Sequence, residues 1–423
     1  MSEVSRTTEA VWRAESARLI AAIARVTRDV GIAEELAQDA LVTALDRWPQ
    51  EGIPDNPGAW LMTAAKRRAI DWLRRGRMLL QQNEEIAREL QRQQQRLGEA
   101  MDQALDHVID DDVLRLIFIA CHPALAVEAR VALTLRLIGG LTTAEIARAF
   151  LVPEKTMGQR IFRAKRTLAE AHVPFETPRG EELGRRVRSV LAVIYLIFNE
   201  GYTATSGEEW MRAALREEAL RLGRMLVRLL PGESEAHALL ALMELNGART
   251  AARRGSNGEA VLLADQNRAL WDQARIHHGI AALEEAQRLG GGAEPYALQA
   301  AIAACHMRVL RAEETDWETI VVLYDALLGT TPSPIVALNR AVAVGMAQGA
   351  AAGLEALDAI AADSVPAGYH LLHCVRGDLL LRLGDITAAR AEIERAIALT
   401  QNQREQELLA EKLKQMDRAV PSV

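Results

Sequence analysis

The sequence predicts an all-α protein: two small helical domains joined by a linker, then a large helical-repeat domain. Three observations predict it. Ala, Leu, Arg and Glu dominate a chain in which aromatics make up only 4%, and these four are strong helix formers. Apolar stripes recur at helical spacing, as at Leu36, Ala37, Ala40, Leu41, Ala44, Leu45 and Trp48. From about Gly180 onward, helix pairs punctuated by Gly and Pro turns continue to the C-terminus. With 423 residues, 49% of them apolar, the chain can build two or three cores.

The first unit, residues 8–77, rests on two amphipathic helices. The stripe above faces inward, leaving Glu34, Glu35, Gln38, Asp39, Val42 and Asp46 outward. A loop from Pro49 to Pro57 holds Ile53, Asp55 and Asn56; Asn56 can cap the next helix, with Pro57 at its first position. That helix, Gly58 to Arg75, buries Trp60, Leu61, Ala64, Ala65, Trp72 and Leu73. It also carries Lys66, Arg67, Arg68, Arg74 and Arg75. Residues 78–112 are polar and Gln-rich. Between Glu99 and Asp112 there are six acids and no Lys or Arg, so the segment is expected to be a linker. Asp110–Asp112 would equally suit the N-terminal dipole of a helix starting at Val113.

The second unit, residues 113–175, opens with helices over Val113–Ala120 and Glu128–Ile138, the latter stopped by Gly139-Gly140. Thr142 and Glu145 form a capping box. A short helix ends near Phe150, and Glu154–Ala171 forms another with Met157, Ile161, Ala164 and Leu168 inside. Its outer face offers Lys155, Thr156, Gln159, Arg160, Arg163 and Arg166. A tight turn between two helices, the second basic, is the helix-turn-helix pattern. Pro174 and Pro178 mark a boundary, after which residues 180–423 form the repeat domain. Its best-resolved unit, His370–Gln403, has Gly377, then Gly384-Asp385 in the turn, then Ala389, Ile393 and Ala396. This is the small-residue scheme of a tetratricopeptide (TPR-like) hairpin. Weaker units cover Pro295–Thr331 and Pro334–Ala361, and stacked units would make an α-solenoid.

Composition narrows the function. Net charge is −7, but unevenly placed: residues 1–180 hold 25 basic and 25 acidic residues, the remainder 25 and 32. Contact with nucleic acid must therefore come from local basic clusters in the first half. Cys121, Cys305 and Cys374 are scattered, which suggests reduced thiols. No signal peptide is visible, and the most apolar run, Val190–Phe198, is too short to span a bilayer. A cytoplasmic protein without membrane contact is expected. No P-loop, GxSxG, HExxH or GxGxxG motif is present, so neither an enzyme nor a cofactor is expected. Cys121-His122 lacks further ligands at metal spacing and is expected to hold a core thiol. Trp271 and Trp317 are expected to pack, and Asn199–Tyr202 to form either a functional loop or a turn ending a helix at Gly201.

Several of these segments carry a resemblance. Ala33-Glu34-Glu35-Leu36-Ala37-Gln38-Asp39-Ala40-Leu41 resembles the core-binding helix in region 2 of the extracytoplasmic-function (ECF) σ factors. Asn56-Pro57-Gly58-Ala59-Trp60-Leu61 with Asp71-Trp72-Leu73-Arg74-Arg75 resembles their promoter-melting helix. Gly139-Gly140-Leu141-Thr142-Thr143-Ala144-Glu145-Ile146-Ala147 with Arg163-Ala164-Lys165 resembles their region 4. Their order, with an acidic linker between, makes the match specific. The remainder is similar to a subgroup with a TPR-like extension. The supporting pieces are Asp111–Phe118 with Cys121-His122-Pro123, Phe198–Tyr202, and Asp265–Arg268 with Trp271-Asp272.

The resemblance implies a transcription-initiation factor for RNA polymerase. Glu34, Glu35, Gln38, Asp39, Val42 and Asp46 would meet the β′ clamp helices, and region 4 the β flap. Ile53, Asp55 and Asn56 would receive a base flipped from the −10 element. Lys66, Arg67, Arg68, Arg74 and Arg75 would hold phosphates of the melted strand. At the −35 element, Gln159, Arg160 and Arg163 would reach base edges, while Thr142, Lys155, Thr156, Lys165 and Arg166 complete the contact. The acidic linker would thread a positively charged channel, and the extension would offer a surface for a protein partner or ligand. Arg67 departs from the family pattern, standing where many members have Asn; a guanidinium suits phosphate better than a base edge. Two other readings stay open: a one-component helix-turn-helix regulator with a TPR-like sensor, and an interaction scaffold working through its repeats.

Overall fold

The computed structural model describes residues 3–79, 105–150, 152–203, 209–253, 255, 261–360, 369–400 and 403–419. Among them are eighteen α-helices, four short 3-10 turns and no strand, as an all-α chain requires. The chain divides into two compact units, Met1–Pro231 and Gly232–Val423.

The first unit starts with α1 (Glu3–Thr27), α2 (Val30–Glu51) and α3 (Pro57–Leu79), packed on one another. Asp29 caps α2 by accepting from the amides of Gly31 and Ile32, and Asn56 caps α3 by accepting from Ala59 N at 3.0 Å. Both caps satisfy donors that a helix start leaves open. Leu36, Ala37, Ala40, Ala44 and Trp48 are buried, and Trp48 meets Trp60 edge-on with centroids 5.6 Å apart. Leu45, expected inside, is 43% exposed beside Val42. Pro49 falls within α2, which runs on to Glu51; a proline so near the helix end removes little of the hydrogen-bond ladder.

Helix α4 (Leu105–Ala120) begins inside the stretch expected to be linker. Residues 80–104, the rest of that stretch, lie outside the described residues. Asp112 is 1% exposed and faces Arg25 of α1 at 3.4 Å and Arg115 at 2.5 Å. Burial pushes its pKa up, and the two guanidiniums oppose that. The position is thus a packed ion pair between α1 and α4, not a free acidic tether.

Then come α5 (Val127–Leu137), α6 (Thr143–Ala149) and α7 (Glu154–Glu170), the helix-turn-helix. Helices α8 (Glu181–Thr203) and α9 (Glu209–Leu229) complete the unit. Gly201 lies inside α8 and does not end it. Val187, Val190, Leu191, Ile194 and Phe198 are buried. Arg186 donates to Phe118 O at 2.8 Å, Ser189 to Cys121 O at 2.7 Å and Arg221 to Ile138 O at 2.8 Å. These bonds explain why the compact unit extends to Pro231, well past the expected boundary near residue 180.

The second unit comprises α10 (Ser234–Ala248), α11 (Gln273–Arg288), α12 (Pro295–Met307), α13 (Trp317–Thr330), α14 (Pro334–Ala347), α15 (Ala350–Asp358), α16 (His370–Arg382), α17 (Ile386–Leu399) and α18 (Gln403–Ala419). Neighbours in sequence pack on one another, and the apolar clusters between them each draw on three or more consecutive helices. Small residues make the crossings close: the expected Gly377, and also Gly345 and Gly353, which were not singled out in the sequence. A Cβ on Gly377 would stand 2.9 Å from Ile393, and one on Gly353 only 2.7 Å from Gly345 Cα. Among the described residues, no helix is long and apolar enough to cross a membrane.

The connection between α10 and α11 is held by a buried arginine. Arg268, 8% exposed, donates to His306 O at 2.7 Å and Val309 O at 2.9 Å, and lies over Trp271, 4.8 Å from the ring centroid. Burial lowers its pKa, with Glu313 and Glu314 opposing. His306 is pushed down to about 4, chiefly by burial and then by Arg249 and Arg268, and packs edge-on against Trp317. Trp271 and Trp317 are packing residues. Replacing Arg268 by Ala leaves two carbonyls without this donor and should cost about 1–3 kcal/mol; urea denaturation followed by circular dichroism measures the loss.

Candidate nucleic-acid interface

Two basic surfaces lie in the first unit. On α3, Arg67, Arg74 and Arg75 are exposed, while Lys66 and Arg68 are half-buried. Arg68 donates to Thr43 of α2, so that guanidinium is partly committed to holding α2 and α3 together. Arg74 stands 3.7 Å from Asp71, a surface pair that water screens. Beside α3, the loop leaves Ile53, Asp55 and Asn56 exposed, with the Asn56 carbonyl already accepting from Ala59.

On α7, Met157, Ile161, Ala164 and Leu168 are buried, which turns Lys155, Thr156, Gln159, Arg163 and Arg166 outward; Arg160 is half-buried. One residue of this surface was not singled out in the sequence. Phe162 is 64% exposed and sits amid these cations. Positions 155, 159, 162 and 166 follow helical spacing. That spacing, with a large apolar residue on a polar face, was the available signal. An exposed apolar ring on such a helix can contact a thymine methyl group. Thr142 is spent locally: its hydroxyl caps α6, and both its amide and hydroxyl meet Glu145 Oε2, at 2.8 and 2.9 Å.

On α2, Glu35, Asp39, Val42, Leu45 and Asp46 form an exposed stripe, with Gln38 half-buried at its edge. Glu34 does not belong to it. Its side chain is 3% exposed and meets Arg136 of α5 at 2.5 Å, Lys165 of α7, and Gln38 at 2.5 Å. A polar side chain on an amphipathic helix was expected to face solvent; here the helix-turn-helix covers it. Lys165, expected on phosphate, is engaged by the same carboxylate. A second bridge joins the two helical groups: Arg13 of α1 meets Glu145 of α6 at 2.5 Å.

Cys121 is buried 3.4 Å from Thr134 Oγ1, and burial pushes its thiol up to about 11, so it is unreactive. His122 Nδ1 accepts from Ala124 N at 3.1 Å. Among the described residues, no group of three or more His, Cys, Asp or Glu side chains could hold a metal ion.

Comparison with known proteins bears on what these surfaces are for. Residues 11–78 match the family model of Sigma-70 region 2, and residues 115–168 that of Sigma-70, region 4. A probable ECF RNA polymerase sigma factor, SigI, of Mycobacterium tuberculosis (strain CDC 1551 / Oshkosh) is 29% identical over 164 residues. That is 39% of this chain and 55% of the relative. The chain belongs to the ECF-type σ factors. Sigma factors are non-enzymatic, DNA-binding partners of core RNA polymerase in transcription initiation. The extension of this σ factor matches, over residues 186–287, a family of unknown function, DUF6596. An uncharacterised protein of Rhizobium meliloti (strain 1021) is 42% identical over 382 residues, 90% of this chain and 89% of the relative, so the extension is shared. No solved structure matches.

The Thr142–Glu145 box gives the helix-turn-helix a pH dependence. Burial opposes ionisation of Glu145, but the Thr142 amide and hydroxyl and the Arg13 guanidinium outweigh it and hold the carboxyl below the ordinary glutamate range. A lowered folded-state pKa contributes stability above the unfolded value, lost as pH falls through the folded one. The stability gap between wild type and Glu145→Gln, measured by urea denaturation, should be full near neutrality and shrink as pH drops below the ordinary glutamate range. Thr142→Ala should cost about 1 kcal/mol at neutral pH.

Proposed function

We propose that this σ factor docks on core polymerase through the exposed stripe of α2 and reads promoters through α3 and α7. Residues 8–77 serve as region 2 and 113–175 as region 4; the linker between them gives way to α4 at Leu105, and the extension follows from residue 180. Glu35, Gln38, Asp39, Val42 and Asp46, with Leu45 at their centre, meet the β′ clamp helices; region 4 meets the β flap. Arg67, Arg74 and Arg75 hold phosphates of the melted strand, with Lys66 and Arg68 behind them. Ile53, Asp55 and Asn56 line the loop that receives a flipped −10 base. Gln159, Arg160 and Arg163 reach base edges in the −35 major groove, Phe162 adds a methyl contact, and Lys155, Thr156 and Arg166 meet phosphates.

The observation that carries this reading is the outward face of α7, where five polar or basic side chains and Phe162 stand together on a capped helix-turn-helix. A one-component regulator would use the same helix, but would have no use for the mixed acidic and apolar stripe of α2. We assign the TPR-like second unit a regulatory role, exercised through a protein partner or ligand.

Two variants separate the surfaces. Arg163→Ala should weaken binding to −35 duplex by about 1–3 kcal/mol and leave co-purification with core polymerase intact. Val42→Asp should do the reverse. Transcription from promoters selected by the purified holoenzyme measures both; a full chain that neither binds core nor starts transcription from any promoter would overturn the proposal. A chain ending at Pro231, the limit of the first compact unit, should still bind core but initiate at a different rate.

A further inference from the structure

A cavity of about 620 Å³ lies in the first unit, away from the surfaces assigned to polymerase and promoter. That volume suits a small organic molecule. Three pieces of chain enclose it: the end of α4 with His122 just beyond, the segment 173–179 between α7 and α8, and the start of α8. Its lining is of two kinds. Arg115, His122 and Arg186 supply polar groups, and Val173, Phe175 and Pro178 supply apolar surface. Glu176, Arg179 and Glu182 are exposed and form a solvated rim.

The polar groups lack a negative charge among them. Arg186 is 6% exposed, and a buried guanidinium needs a counter-charge or a full set of acceptors. It has neither. Nη2 donates to Phe118 O at 2.8 Å, but Nε has no acceptor. The carboxylate paired with it, Glu182, is 57% exposed and stands 4.0 Å away, where water screens it. Burial lowers the Arg186 pKa, Glu182 opposes this, and Arg130 lowers it further. The donors of Arg130 are themselves committed, to Leu125 O, Ser189 Oγ and Pro123 O. His122 is held below the ordinary histidine range by burial and then by Arg186. Its Nδ1 accepts from Ala124 N at 3.1 Å, so the neutral ring carries its proton on Nε2 as a donor. Arg115, by contrast, already has its carboxylate, Asp112 at 2.5 Å. The cavity is therefore short of one negative charge, not two.

We infer that the cavity is a binding site for a small organic acid, with its single carboxylate on Arg186 and His122 and its apolar body against Val173, Phe175 and Pro178. A planar carboxylate matches the guanidinium fork. A dianionic phosphate would bring a surplus charge beside Glu182, with no second buried, unpaired cation to receive it. An occupant would tie the connection leaving α7 to the end of α4 and the start of α8. Binding requires neither polymerase nor promoter.

Titration calorimetry and ligand-observed NMR on the full chain test this with benzoate, phenylacetate and cyclohexanecarboxylate. The amide of each acid supplies the same body without charge, acetate the charge without the body, and inorganic phosphate the other anion. At least one of the acids should saturate a single site in the millimolar range. Its amide should bind about tenfold more weakly or worse, and acetate and phosphate should not compete with it at equal concentration. Arg186→Lys, which keeps the charge and loses the fork, should weaken binding about tenfold. Phe175→Ala should weaken it about fivefold by removing apolar contact. Glu182→Gln, on the exposed rim, should tighten it about twofold by removing a like charge. The last two variants carry the test if Arg186→Lys fails to fold, as judged by helical circular dichroism. No saturable binding by any of the acids would overturn the site, as would binding that Phe175→Ala and Glu182→Gln both leave unchanged. An amide that binds as well as its acid would overturn the role of the buried charge. Phosphate binding more tightly than every acid would overturn the carboxylate assignment.

Discussion

A carboxylate taken out of water is costly unless cations and donors replace its hydration. Glu34 meets that requirement with one side chain from α2 itself, Gln38, and two from the helix-turn-helix, Arg136 and Lys165. Much of the first unit is organised around this convergence. It sets α2 against α5 and α7 and fixes which face of α2 remains open. The Arg13–Glu145 and Arg25–Asp112 pairs link α1 to α6 and α4 by the same means. The contact between the two helical groups is thus held by charge as well as apolar packing, and the charges fix which faces meet.

A second device recurs through the whole chain. Helices end with unbonded carbonyls, and here arginines from elsewhere in the fold reach them, Arg186 and Arg268 buried and Arg221 half-buried. Arg186 bonds Phe118 O in the last turn of α4, Arg221 bonds Ile138 O at the end of α5, and Arg268 bonds His306 O in the last turn of α12. A guanidinium also complements the negative end of the helix dipole. In a chain with 4% aromatics and many alanines, large apolar anchors are few. Long arginine side chains supply both the stem that packs and the donors that close helix ends.

These two devices account for what was legible in the sequence. Local signals were readable because their partners lie within a few residues: the Thr142–Glu145 box, the Asn56 cap, the buried face of α7, and Gly377 and Gly384 in the α16–α17 hairpin. Periodicity gave the faces of α2 except at Leu45, which is exposed, and Glu34, which is buried. It could not say that Glu34 is covered, because a polar residue covered by other polar residues has the same periodicity as one facing water. Lys165 and Asp112 were misplaced for the same reason, each having a partner far away in sequence. The expected boundary near residue 180 missed α8 and α9, whose attachment depends on Arg186 and Arg221 reaching carbonyls 68 and 83 residues away. Phe162 was legible in principle, as an apolar residue on a basic stripe, since a phenylalanine 64% exposed in the middle of a polar helix face has no packing reason to be there.

The placement of α8 and α9 changes what the extension can be. The segment matching the family of unknown function, residues 186–287, includes both this pair and the first helices of the second unit. Cutting the chain at residue 180 would therefore strip the cover from Phe118 O, Cys121 O and Ile138 O and unsettle region 4, whatever the second unit does. Only residues 230–233 separate α9 from α10 in sequence. Arg221 in α9 is bonded at Ile138, immediately before the Gly139-Gly140 turn that leads into the helix-turn-helix. Loss of α9 would thus leave a carbonyl without its donor at the start of the turn that leads into the helix-turn-helix, a cost internal to the first unit.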